Sequence, residues 1–489
     1  MKKGACGMIG HVMKIYKNSG LKPAVKAALH DLGSGTSRRR QALFYARSLF
    51  SEEQREGTQL LGYCIVKTGN VKLHRDMVCE LNKVIEERQP AVIYMDELRG
   101  GELLYKPDYA PDNLAAHNYI GNCVVVRRDL MDDCAVKLSG EASLWSFNKY
   151  ICGRCREEEI AHVSRALFED NGYIREDGDA IKDTSPDNMK DCIIDSRDNI
   201  FNNILNRKYC PMISVIIPNY EHADDLRRCV ESLLYINTYK NIEIIIVENN
   251  STSEEIFSCY DGLLREHPDV IRLEKWEGSF NYSAINNYGA SCAKGELLLL
   301  LNNDTKIIEP DSLWAMAEYA VRDNTGAVGA CLLYADKTVQ HAGVIVGIGP
   351  DRTAVHPNSG VCFIENGYRD SIHHVQNYSA VTGACLMIKK ELFDKLGGLD
   401  EELAVAYNDV DFCLRLRRRG LLNVYVPQAL LFHYESKSRG YDDKGERHER
   451  FLRESQLFRD RWQNIVDDGD PYYNVNLSKE VPWKPEIKL

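Results

Sequence analysis

From residue 211 onward the chain alternates short, continuous apolar runs with amphipathic stretches. "MISVIIPNY" and "NIEIIIVENNS" are β-branched runs of strand length, the pattern of strands covered on both faces of a parallel sheet. Between them, "ADDLRRCVESLLYI" carries apolar residues at helical spacing, so the segment reads as a strand–helix–strand unit. "SAINNYGASCAK" predicts a further helix that feeds "GELLLLLNNDT". The five leucines, bounded by Gly295 and by polar residues, predict a central strand and fall well short of the ~20 apolar residues of a membrane span.

Three of these strands end in polar clusters: Pro218-Asn219-Tyr220, Glu248-Asn249-Asn250 and Asn302-Asn303-Asp304. Turn propensity explains any one of them. Three together point to a nucleotide site, because open α/β sheets bind ligands beyond the carboxyl ends of their strands. Upstream, residues 171–210 are polar, acidic and poor in aromatics, as a linker between packed units would be.

The length of 489 residues predicts two or three domains, and 44% hydrophobic residues provide ample core. A net charge of -11 argues against a nucleic-acid partner held by a basic surface. The 16 cysteines are scattered. Cys152 and Cys155 form a lone C-x-x-C, a weak zinc signal set against ordinary buried thiols in a reducing cytosol. The N-terminus has lysines but no apolar core of signal-peptide type, and no stretch suits a transmembrane helix. The expected location is therefore cytoplasmic. The first 40 residues are basic, ending in Arg38, Arg39 and Arg40. They read either as a solvated helical face or as an interfacial helix in peripheral contact with anionic lipid.

From Met212 to about Pro471 the chain resembles a family-2 glycosyltransferase of the GT-A fold. The resemblance rests on six ordered segments: "SVIIPNYEHADDLRRCVESL", "IIIVENNST", "FNYSAINNYGASCAKGELLLLLNNDT", "TGACLMIKKELFDKLGGLDEEL", "YNDVDFCLRLRRRG" and "LFHYESKSRG". "DPYYNVNLS" (Asp470 to Ser478) adds a likeness to the subgroup that builds bacterial surface polysaccharides, often with rhamnose-type or galactose-type donors. The resemblance implies an α/β fold with a mixed, mainly parallel sheet. It also implies transfer of a sugar from a nucleotide diphosphate to a glycan or lipid-linked acceptor, with inversion.

In such an enzyme a divalent cation, Mn²⁺ or Mg²⁺, neutralises the leaving diphosphate. The family's D-x-D motif reads Asn302-Asn303-Asp304 here, so Asp304 is the expected metal ligand, and the first acid has become an amide. His433 is expected as the second ligand, against the alternative of a buried structural histidine. Asp409, in the family's acidic helix start, is expected as the base that takes the acceptor proton. Asp411 cannot share its helical face and is expected to serve the helix dipole. Pro218, Asn219, Tyr220, Glu248, Asn250, Asn286, Asn302 and Asn303 are expected on the nucleotide sugar, with Arg439 as a clamp on the diphosphate. Thr382, Gly383 and Asn408 are expected on the sugar and acceptor side.

Residues 85–170 echo the second half: "VIYMDELRGG" is similar to "LLYADKTVQHAG", and "NYIGNCVVVRRDL" to "NYSAVTGACLMIKKEL". This implies a smaller, truncated GT-A-like domain. It offers Lys67-Thr68-Gly69-Asn70 in place of the D-x-D, Trp145-Ser146-Phe147-Asn148 in place of the acidic helix start, and Glu169 in place of the histidine. The expected organisation is a basic helical segment (1–60), the truncated non-catalytic domain (61–170), the linker (171–210), a catalytic domain (211–440) and a helical extension with a tail (441–489). A sugar-phosphate nucleotidyltransferase is disfavoured, since "PNYEHADD" lacks the glycines and basic residue of its phosphate loop. A non-catalytic scaffold that binds nucleotide sugars stays open because Asn302 and Asn408 replace family acids. The Q-x-x-R-W of processive polymerases is absent at its spacing ("QLFRDRW"), so addition of one or a few sugars is expected.

Overall fold

The structure is a computed structural model that describes residues 60, 62–68, 70–132, 141–171, 209–434 and 445–486. The basic N-terminal segment, nearly all of the expected linker, and Arg439 with its neighbours lie outside the described residues. The chain divides into two compact units. The first takes in Met1–Ala180, Pro471–Ser478 and Lys484–Leu489; the second takes in Ile181–Asp470 and Lys479–Trp483.

In the first unit, β1 (Tyr63–Lys67), β2 (Val71–Leu73), β3 (Val92–Arg99), β4 (Glu102–Leu104), β5 (Cys123–Arg127) and β6 (Ile160–Asp170) form one sheet. Its order is β1-β5-β3-β6-β2, with β4 on β3. Ile93, Met95 and Val125 bury against Leu81 of the helix Met77–Arg88 and against Phe168.

The second unit contains β7 (Ile213–Asn219), β8 (Ile242–Glu248), β9 (Ile271–Lys275), β10 (Leu297–Leu301), β11 (Thr305–Ile307), β12 (Thr325–Leu333) and β13 (Val339–His341). They are followed by β14 (Ile345–Val346), β15 (Ala354–Val355), β16 (Gln376–Tyr378), β17 (Cys385–Lys389) and β18 (Leu422–His433). The main sheet runs β11-β18-β12-β17-β10-β7-β8-β9. β7, β8 and β9 step outward in parallel; the helix Tyr282–Cys292 then returns the chain to the other side of β7, where β10 pairs in parallel. The strand order reverses at β7/β10, and open α/β sheets place their ligand crevice at such a reversal.

β10 is the leucine run, and all five side chains are buried to 1% exposure or less. Each contributes about 1.5–3 kcal/mol of burial. The strand sits between β7 and the antiparallel β17, so both faces are covered and no polar residue is tolerated until the strand ends at Asn302. Two glycines make the close packing possible. A Cβ at Gly295 would come within 2.5 Å of the Met212 carbonyl oxygen, and one at Gly289 within 2.5 Å of Ile216 Cγ2.

The first unit repeats half of this sheet. The pairings β1·β5, β5·β3, β3·β6, β6·β2 and β3·β4 have the same order and sense as β10·β17, β17·β12, β12·β18, β18·β11 and β12·β13. Lys67 faces Cys123 as Leu301 faces Cys385, so Asn70 corresponds to Asp304 and Val71 to Thr305. Val71 pairs with Asp170 where Thr305 pairs with His433. The counterpart of His433 is therefore Asp170, one residue beyond the expected Glu169. Counterparts of β7, β8 and β9 are missing among the described residues, which leaves a GT-A-like half without its nucleotide-binding strands.

Candidate active site

The turn after β10 and the ladder between β11 and β18 assemble the first group of side chains. Asn302 N–H donates to the Ala384 carbonyl (3.0 Å), and Thr305 then enters β11 opposite His433. The ladder closes with Tyr434 N–H donating to the Asp304 carbonyl (2.9 Å). This brings the Asp304 carboxylate Oδ1 to 3.1 Å from His433 Nε2, both residues being buried. On the far side of the ring, Gln340 Oε1 accepts from Nδ1–H at 2.6 Å. With the proton on Nδ1, Nε2 presents its lone pair to Asn302 Nδ2–H (3.2 Å) and to Asp304. Asn302 Oδ1 in turn lies 3.2 Å from the Tyr282 hydroxyl oxygen.

A carboxylate oxygen and an imidazole lone pair facing each other at 3.1 Å suit a shared divalent cation. Two ligands at about 2.1 Å in adjacent octahedral positions stand about 3 Å apart. The donor chemistry of Asp304 and His433 therefore fits the expected ion, with Asn302 beside them. They are two donors, and no cluster of three or more His, Cys, Asp or Glu suited to a metal occurs among the described residues.

The second group forms at the start of the helix Asn408–Arg417. Asp409 Oδ2 accepts Gly383 N–H at 2.7 Å, and Oδ1 accepts Val410 N–H at 2.8 Å. The Gly383 carbonyl accepts from the Tyr282 hydroxyl at 2.9 Å. Tyr282 thus stands between Asn302 on one side and the Thr382–Gly383 turn on the other. The turn has a second anchor. Thr382 N–H donates to His341 Nε2 (3.2 Å), while His341 Nδ1–H donates to the Ala330 carbonyl (2.8 Å). Burial holds the His341 imidazole neutral and pushes its pKa down to about 3, with His356 and His433 adding to the effect.

Asp411 departs from its expected role at the helix dipole. It is fully buried, and its carboxylate accepts from Arg415 Nε (2.8 Å), Arg461 Nη1 (2.8 Å) and Trp462 Nε1 (2.9 Å). It ties the helix Gly445–Asp468 to the helix Asn408–Arg417, through the Arg-Trp pair that lacks the processive spacing.

The third group lines the ends of β7 and β8. Asn219 Oδ1 accepts from Asn303 Nδ2 (2.6 Å), and Asn219 Nδ2 donates to the Tyr260 hydroxyl (2.7 Å). Pro218 and Asn219 sit opposite Val247 and Glu248 in the ladder, and Tyr220 follows, half exposed. Glu248 accepts Ser251 N–H, and Asn250, in the left-handed region, donates to the Gly278 carbonyl at 2.9 Å.

Two expected contacts are drawn inward instead. Asn286 is fully buried and donates to the Tyr282 carbonyl of its own helix (2.8 Å). Asn408 is buried and donates to the Val405 carbonyl (2.9 Å). Both amides support the residues around Tyr282 and Asp409 and face away from solvent. Of the cysteine pair, Cys152 is buried and Cys155 Sγ donates to the Ile151 carbonyl (3.3 Å).

Sequence reasoning missed Tyr282, Gln340 and His341. Tyr282 lay inside a quoted motif, but helical spacing alone marks it as core. Gln340 and His341 lay in "LLYADKTVQHAG", where only pairing across β12 and β18 reveals their direction.

The profile described as "Glycosyltransferase like family 2" matches residues 211–460, just over half of the chain. The uncharacterized protein y4gI of Sinorhizobium fredii is 33% identical over 436 residues, covering 83% of this chain and 47% of the relative. The O-antigen biosynthesis protein RfbC of Myxococcus xanthus is 32% identical over 410 residues, covering 76% of this chain and 30% of the relative. The chain spans less than half the length of these curated relatives. Among solved structures, the mannosyltransferase PcManGT from Pyrobaculum calidifontis, in complex with GDP-Man and Mn²⁺, matches at a TM-score of 0.39 and 17% identity, over 53% of this chain and 69% of that one.

Proposed function

The chain belongs to glycosyltransferase family 2, and we propose that it moves a sugar from a nucleotide-diphosphate donor to a hydroxyl of a glycan or lipid-linked acceptor, with inversion, in cell-surface polysaccharide synthesis. The single observation that carries this reading is the arrangement around Tyr282. Its hydroxyl faces both Asn302, beside the Asp304/His433 pair, and the Gly383 carbonyl, whose own N–H holds Asp409. A group suited to a leaving diphosphate and a group suited to a proton transfer thereby stand on either side of one side chain, linked to it through Asn302 on one side and through Gly383 on the other.

In the proposed reaction, the acceptor oxygen attacks the anomeric carbon from the face opposite the diphosphate, and its proton passes to Asp409. The bond from that carbon to the diphosphate oxygen breaks, and the electron pair leaves with the diphosphate. The two N–H groups on Asp409 hold its carboxylate in one orientation, which counts because a base must lie within hydrogen-bond reach of the proton it takes. Asp304 and His433 would hold a divalent cation, which supplies Lewis-acid neutralisation of the leaving group. Pro218, Asn219, Tyr220, Glu248 and Asn250 line the strand ends proposed to hold the nucleotide, with Asn303 joined to Asn219.

The first unit is proposed to be non-catalytic and to position the acceptor. Supporting this, Asn70 and Asp170 stand where the second unit has Asp304 and His433. A buried ammonium also fills the neighbourhood: Lys106 Nζ pairs with Glu97 (3.2 Å) and donates to the Ile120 carbonyl (2.5 Å). Glu97 and Asp170 are further engaged by Arg99, and Asp170 by Asn122 (3.0 Å). No helix among the described residues is long and apolar enough to cross a membrane.

The test is release and transfer of sugar from a panel of nucleotide sugars with Mn²⁺, using the whole chain and its Asp409→Asn variant. Turnover of one donor, lost in the variant, with an inverted anomeric centre by NMR, is the expected result. Binding of a donor with no turnover would favour the scaffold reading that Asn302 and Asn408 keep open.

A further inference from the structure

We propose that Gln340 is a positioning residue that sets the tautomer of His433 and so prepares Nε2 as a metal donor; this rests on the cation site proposed above. A neutral imidazole carries its proton on one nitrogen only, and the hydrogen bond made by one nitrogen decides which lone pair the other presents. Gln340 Oε1 lies 2.6 Å from Nδ1, inside the protein, and an amide oxygen can only accept. Asn302 Nδ2, which can only donate, lies 3.2 Å from Nε2. Both contacts require the same form: proton on Nδ1, lone pair on Nε2. The Asp304 carboxylate, 3.1 Å from Nε2, can also only accept and pulls toward the opposite form, so Gln340 is what holds the proton on Nδ1 against it.

A second observation is independent of the side-chain contacts. Gln340 is the extra residue of a β-bulge. In the β12·β13 ladder Leu332 pairs with His341 and Leu333 with Val339, leaving Gln340 without a ladder position. Bulges re-aim side chains next to functional sites. The corresponding hairpin of the first unit runs without one, Glu97, Leu98 and Arg99 facing Leu104, Leu103 and Glu102 in regular register. The irregularity therefore occurs only in the copy that has a histidine at the end of its long strand, and it delivers the one side chain that caps that histidine's far nitrogen.

The test uses the whole chain with ¹⁵N-histidine, free of metal, and Mn²⁺ alone as the probe. NMR should report His433, identified by its loss in His433→Gln, as the Nδ1–H form in the parent and in Gln340→Glu. In Gln340→Met it should shift to a mixture or to the Nε2–H form. Mn²⁺ affinity, read by electron paramagnetic resonance without donor, should fall about 10- to 100-fold in Gln340→Met and stay close to the parent in Gln340→Glu. An unchanged thermal midpoint certifies the fold. A persistent Nδ1–H form in Gln340→Met overturns the proposal. If the parent binds no Mn²⁺, the cation reading fails, while the tautomer measurement still decides the role of Gln340.

Discussion

His341 ties the Thr382–Gly383 turn to pH. Its ring donates to the Ala330 carbonyl and accepts Thr382 N–H, and a protonated ring cannot keep the second bond. The pKa of the folded state is held near 3, mainly by burial and next by His356, while the unfolded chain titrates near 6.5. A depressed folded pKa means that the neutral ring contributes its full stability above about pH 6.5. That contribution declines as the pH falls toward 3, because the unfolded state takes up a proton that the folded state refuses. At about 1.36 kcal/mol per pH unit, the loss between pH 6.5 and 5 is about 2 kcal/mol. Other buried groups titrate in the same range, so the measurement is a difference between parent and His341→Gln. Urea unfolding at pH 7, 6 and 5, followed by tryptophan fluorescence, reports chiefly on the second unit, which holds Trp276, Trp314, Trp462 and Trp483 against Trp145 in the first. The parent should lose about 2 kcal/mol more than the variant between pH 7 and 5. Equal losses would refute the reasoning.

Three further outcomes are expected. Asp409→Asn should cut sugar transfer by about 10²–10⁴-fold, with donor affinity by calorimetry and the thermal midpoint unchanged; retained turnover would remove Asp409 from the base role. Asp411→Ala should destabilise the protein by about 3–5 kcal/mol in urea titrations, because the charges of Arg415 and Arg461 lose a buried partner. Lys106→Met should likewise cost several kcal/mol in the first unit, leaving Glu97 buried beside Arg99 alone. Hydrogen exchange in β3 and β5 would report that loss, and exchange in β10 should not change.

The parallel half of the fold was legible because burial on both faces leaves a simple signature. "SVIIP", "IEIIIV" and the five leucines lie in strands of the structure, which end at Asn219, Glu248 and Leu301, at the polar clusters. Asp304, His433 and Asp409 were legible through the resemblance, as residues of distinctive chemistry in fixed motifs. What was not legible depends on cross-strand register. Asp411 was assigned to the helix dipole from its first-turn position, and its three donors come from its own helix and from residues fifty positions away. Asn286 and Asn408 are amides whose direction sequence spacing leaves undetermined, and both turn toward backbone carbonyls. The shift from Glu169 to Asp170 is likewise a one-residue register effect, which only the ladder reveals.

The two halves also explain each other through one hairpin. In the second unit it carries His341, which accepts an N–H from Thr382 in the turn before β17. In the first unit the hairpin β3–β4 leads to Lys106, which donates to the carbonyl of Ile120, in the turn before β5. Ile120 and Thr382 correspond, because Gly121 and Gly383 each stand two residues before the paired cysteines Cys123 and Cys385. The turn is thus met by an acceptor in one copy and by a cation in the other, from different positions, since the ladder counterpart of His341 is Leu104. An internal ammonium, neutralised by Glu97, supplies the charge from within and is packed tightly, since a Cβ at Gly121 would fall within 2.4 Å of Glu97 Oε2. The first unit thus differs from the second at Asn70, at Asp170 and in the internal ammonium of Lys106.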